Sequence, residues 1–155
     1  MEMSNRTLRD GIVLVGAFHF LMAFICLIGA IGIYFYGIAA PNIQGDSLFF
    51  PLVGFLVSLL LTITYLIVGI GVIRQNNSAR LGAIFLSLIG IMSGFIAVLG
   101  TLAVNINDAA TVNLASTAMT AIIFICGYSI IAFLDIFILI LLFNNQVRGI
   151  FYPEE

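Results

Sequence analysis

Side chains able to do chemistry sit inside long apolar runs of this sequence, among them His19, Cys26, Cys126, Tyr128 and Asp135. An imidazole and a carboxylate can share or pass a proton, or hold one another across a helix interface. Two cysteines and one histidine do not supply the closed ligand set that a structural metal needs, so no metal or other cofactor is expected. Cys26 and Cys126 read as small buried hydrophobes.

Motifs for catalysis are lacking in the sequence. It has no His-Glu-x-x-His, no Gly-x-Ser-x-Gly, no paired-cysteine motif and no phosphate-cradling glycine run after a strand. Gly69-Ile-Gly71 falls inside an apolar run, where glycine serves packing. No nucleophile is paired with a base, and the expectation is that the protein is not an enzyme. A net charge of −2 with five basic residues argues against nucleic-acid binding, which needs Lys and Arg in number.

The elements that position these residues follow from composition. With 63% hydrophobic and 8% charged residues, the chain cannot cover a water-facing globule of 155 residues. Four apolar stretches, 11–36, 50–73, 81–104 and 112–143, each exceed the roughly 18 residues a helix needs to cross a bilayer. None alternates polar and apolar residues as a barrel strand would. The sequence therefore predicts one all-α, polytopic membrane domain over residues 1–155, with four transmembrane helices in a left-handed four-helix bundle. The last stretch is longer than one straight crossing, so its polar start (Thr111, Asn113, Ser116, Thr117 and Thr120) is expected at the membrane surface. A first apolar segment of about 26 residues is too long for the h-region of a cleaved signal peptide.

Orientation is read from the arginines. Arg6 and Arg9 precede the first helix, Arg74 and Arg80 flank the second connection, and Arg148 follows the last helix; connections 37–49 and 105–111 carry none. The positive-inside rule then puts both termini, 1–10 and 144–155, in the cytoplasm of a multi-pass plasma-membrane protein. Arg9, Arg74, Arg80 and Arg148 are expected to act as cytoplasmic interface anchors. On that side the glycosylation-like triplets Asn5-Arg6-Thr7 and Asn76-Asn77-Ser78 are chance. Tyr34 and Tyr36 lie near the outer interface.

The chain also echoes itself. Asn76-Asn77-x-x-Arg80 matches Asn144-Asn145-x-x-Arg148 at a separation of 68 residues, and Arg9-x-Gly11 matches Arg80-x-Gly82. Two hairpins that both run in–out–in form a parallel repeat, not the inverted repeat of many transporters. Small residues mark the packing faces: Gly16, His19, Ala23, Cys26 and Ala30 in the first helix, and Gly54, Ser58, Thr62, Tyr65 and Gly69 in the second. In the third they are Ala83, Ser87, Gly90, Gly94, Ala97 and Thr101. Backbones approach closely along such stripes, within a bundle or against another subunit.

His19 lies on its stripe and so faces protein. It is eight residues inward from Gly11, and Asp135 is eight residues before Phe143, both about 12 Å deep from the same side by helical rise. A charge near mid-bilayer costs about 2.5–3.5 kcal/mol unless partnered, so His19 and Asp135 are expected to hydrogen-bond, with Tyr128 about 20° away on the Asp135 face. Cys26 shares the His19 face while Cys126 lies about 180° from Asp135, so straight helices cannot pair the cysteines as well. The tail Asn144–Pro153 is expected to form a short amphipathic surface turn that returns Ile150, Phe151 and Tyr152 to the headgroups.

Arg-x-Gly at the start of the odd helices, together with the tail "VRGIFYP", resembles uncharacterised small prokaryotic four-helix membrane proteins with an "xVRxxF"-type tail. The resemblance covers the hairpin ends and implies no activity. Tetraspanins and claudins share the helix count, but their large cysteine-bearing outer loop has no counterpart here. The functional expectation is a structural or accessory membrane protein that works through helix–helix contacts with the lipid bilayer and with other membrane subunits or its own copies. The alternative is a small proton or ion transporter or channel built on the His19–Asp135 level.

Overall fold

The computed structural model describes residues 5–39, 48–108 and 114–151, with side chains left undescribed at 5, 6, 97, 100–121 and 124. All regular structure among the described residues is helical. Helix α1 (Asn5–Ile33) runs directly into a π-helical turn (Tyr34–Ile38); α2 (Phe49–Ile73), α3 (Asn77–Asp108), α4 (Leu114–Phe143) and the short α5 (Asn145–Phe151) follow. Four of these helices are long and apolar enough to cross a membrane. The first and third helices overrun the predicted spans, α1 starting six residues before Gly11 and α3 ending four after Val104. Hydropathy finds the hydrocarbon-matched part of a helix, whereas backbone hydrogen bonding carries the helix on into the interface.

The outward faces carry large apolar side chains. Ile67 is 65% exposed, Phe85 64% and Ile140 67%. Such continuous apolar surface is unsuited to water and suited to acyl chains, so the protein is a multi-pass membrane protein.

Two compact units make up the chain: Met1–Ala83 with Gly149–Glu155, and Ile84–Arg148. In the first, α1 buries Leu8, Ile12, Val15, His19, Ala23 and Ala30 on one face. The facing stripe of α2 buries Thr62, Tyr65, Val68, Gly69 and Val72. Glycine makes the crossing close. A methyl on Gly69 would lie 3.3 Å from the Gly16 carbonyl oxygen and from His19 Cβ, and one on Gly16 would run into Ile73. Without water to drive apolar burial between helices, such contact gives dispersion energy its full value.

A tight turn joins α2 to α3. Asn76 N–H donates to Gly71 O and Gln75 N–H to Val72 O, both at 2.9 Å, the paired bonds of a Schellman motif. Gln75 occupies the left-handed position (φ 58°) that usually belongs to glycine. Asn76 then caps α3, its Oδ1 accepting from Ser78 N–H at 2.9 Å. At the start of α5, Asn144 Oδ1 accepts from Gln146 N–H at the same 2.9 Å. Four residues into each helix, the N–H of Arg80 and of Arg148 donates to the capping asparagine's carbonyl. The repeated Asn-Asn-x-x-Arg thus has a local cause: each copy is an asparagine N-cap followed by the first helical turn.

In the second unit, α4 buries Asp135, Ile138 and Leu142, and α3 buries Leu86 and Ser87. A methyl on Gly90 would run into the Asp135 carboxylate, and one on Gly94 would lie 4.0 Å from Tyr128. Helices α3 and α4 meet along this line.

The tail differs from the expected surface turn. It is helical, and Phe151 is buried at 4% exposure instead of being returned to the headgroups. Ile150 is half-buried. Tyr152 and Pro153 lie outside the described residues.

Candidate functional site

His19 is held by the α1–α2 crossing. Gly69 leaves room for its Cβ, and the Tyr65 ring lies 5.8 Å from the imidazole, tilted by 55°. Its Nδ1 is 2.8 Å from Val15 O. A carbonyl oxygen only accepts, so Nδ1 carries the hydrogen and donates. In the neutral ring Nε2 is then a lone-pair acceptor. The ring is fully buried, and Nε2 has no partner among the described residues. Further along the same crossing, the Ser58 hydroxyl donates to Cys26 O at 2.7 Å and the Thr62 hydroxyl to Ser58 O at 2.9 Å. Hydroxyls satisfied by helix carbonyls keep a polar seam between two apolar helices.

Asp135 belongs to the other unit and is 4% exposed. Its carboxylate occupies the notch left by Gly90 and lies beside the Ser87 hydroxyl. Ser87 is 1% exposed, and its Oγ has no well-formed hydrogen bond among the described residues. Tyr128 stands against Gly94 as Asp135 stands against Gly90, so both occupy the α4 face turned to α3. Sequence spacing marks Ser87 and Gly90 as packing residues, and the structure adds that both line the carboxylate. The signal was present, since a hydroxyl and a glycine three residues apart fall on one helix face.

The remaining packing residues are placed simply. Gly16, Ala23, Ala83 and Gly94 are buried, Gly90 is half-buried, and the Ala97 side chain and Thr101 lie outside those described. Cys26 is half-buried and Cys126 exposed, and each is a free thiol. No group of three or more metal-ligating side chains occurs among the described residues.

Among the arginines, Arg9, Arg74 and Arg148 are exposed. Arg80 differs from an interface anchor reaching into water, being buried at 6% exposure. Its Nε donates to Asn77 Oδ1 at 3.1 Å, and the guanidinium carbon sits 5.9 Å from the centre of the Phe151 ring. A cation over an aromatic face gains electrostatic attraction, worth about 2 kcal/mol when water is excluded. The tail therefore closes over Arg80.

An open groove of about 590 Å³ lies at the other end of the α1–α2 hairpin, lined by Gly29, Gly32, Tyr36, Gly37, Phe50 and Pro51 among others. The π-helical turn widens the backbone there, and Ala39 N–H reaches back to Tyr34 O at 2.8 Å.

No family model matches the chain, and no curated protein or solved structure is significantly similar to it.

Proposed function

We propose that the protein is a structural or accessory subunit of the plasma membrane, acting through helix–helix contacts in a larger membrane complex or a homo-oligomer. One observation carries the reading. The His19 imidazole and the Asp135 carboxyl are shut away, at 0% and 4% exposure, while the described outward faces carry many large apolar side chains. Closed polar groups fix helix register, and open apolar faces are what a membrane partner would meet. Both termini are assigned to the cytoplasm from the arginine distribution, and the two hairpins to a parallel repeat. A left-handed bundle is supported by buried positions at spacings of three and four, such as Thr62, Tyr65, Gly69 and Val72 on α2.

Native mass measurement after purification in mild detergent tests the proposal. A reproducible partner of fixed stoichiometry, or a symmetric homo-oligomer without conductance, is the expected result. A monomer that moves protons or ions in liposomes would overturn it.

The second reading, a small proton or ion transporter or channel built on His19 and Asp135, is favoured by the His19 Nε2, which has no partner among the described residues. Their pairing is proposed from matched depth in the sequence. Replacement by Asn at Asp135 separates the readings: loss of folding or assembly supports the clasp, and an intact protein with lost pH-linked flux supports transport.

A further inference from the structure

Asp135 is an acid inside a span, and the cation described in its own unit, Arg148, is exposed. The titratable side chains described between Ile84 and Arg148 are Cys126, Tyr128, Asp135 and Arg148. Cys126 and Arg148 are exposed, and Tyr128 stands two turns away at Gly94. What faces the carboxylate from α3 is the Gly90 backbone and the Ser87 hydroxyl. The Gly90 carbonyl already accepts from Ser93 Oγ at 3.0 Å.

A sodium ion is a poor fit, since hard cations take about six oxygens and this notch offers two carboxylate oxygens and one hydroxyl. A bare carboxylate is costly there, because a neutral hydroxyl does not offset the loss of hydration. A protonated carboxyl solves both problems: it is neutral, it carries one donor, and the buried Ser87 Oγ beside it can accept that donor.

We propose that Asp135 is a proton-binding site, occupied at neutral pH as the carboxylic acid, with its O–H donated to Ser87 Oγ in the notch opened by Gly90. The proton comes from water and returns to it, so nothing else is consumed. Glycine at 90 is part of the site, since a methyl there would run into the carboxyl group. This proposal does not rest on the accessory role, which stands or falls on the native mass.

Infrared spectroscopy of the full chain at neutral pH in a detergent without ester groups decides it. Of the seven acidic side chains, Glu2, Asp10, Asp46, Asp108, Glu154 and Glu155 lie outside the predicted spans. A carboxylic C=O stretch is assigned to Asp135 by its loss in Asp135→Asn or its shift in Ser87→Ala. The expected result is such a band in the unmodified protein, lost in Asp135→Asn and moved to higher frequency in Ser87→Ala, which removes its acceptor. If Asp135→Asn does not fold, the unmodified protein and Ser87→Ala still give the answer. Carboxylate stretches alone would overturn the proposal. A band that Ser87→Ala leaves unmoved would overturn Ser87 as the acceptor.

Discussion

Glycine at two positions sets how closely side chains can sit in each unit. Gly69 admits His19, and Gly90 admits Asp135. Gly90→Ala should displace the carboxyl group and lower stability by about 1–3 kcal/mol, the usual cost of overpacking, measured as a fall in the thermal midpoint in detergent. The same substitution at Gly127, where an added methyl meets nothing within 4 Å, should leave the midpoint unchanged or raise it slightly. Equal losses at the two positions would show that glycine acts through backbone flexibility and not through the notch.

At the scale of elements, the turn between α2 and α3 and the start of α5 govern how the hairpins end. Gln75 holds a left-handed conformation that costs an ordinary residue about 1 kcal/mol, so Gln75→Gly should stabilise the protein by roughly that amount. Asn76→Ala and Asn144→Ala each remove a side-chain cap, at about 1 kcal/mol apiece, and being local to separate helices they should add in the double variant. Chemical denaturation in mixed micelles would read all three. A non-additive result would mean that the repeated motifs touch a shared structure.

For the whole molecule, the tail and the topology are the features that bear on how the chain is held together. Phe151→Ala removes a buried ring and uncovers Arg80, and a loss of about 3 kcal/mol follows from the emptied volume and the lost cation–π contact together. Phe151→Leu should recover most of the packing share and none of the cation–π share, as thermal unfolding would show. Single cysteines placed at Ser4 and at Asp46, in a chain freed of Cys26 and Cys126, should label from opposite sides of intact cells. Labelling of both from outside would refute the cytoplasmic assignment of the N-terminus.

The sequence alone determined the class of the molecule and its four long apolar helices, because hydropathy and helical period are local properties that survive without coordinates. Gly16, His19, Ala23 and Ala30 are buried, and Cys26 of the same stripe is half-buried. Tertiary structure was needed where a residue's role depends on what stands opposite. Arg80 and Phe151 are 71 positions apart, and nothing local says that one covers the other. Ser87 and Gly90 looked like packing residues because helix spacing tells which way a side chain points and not what it meets. The carboxylate on α4 gave them a second role, and only the approach of two helices could bring those groups together.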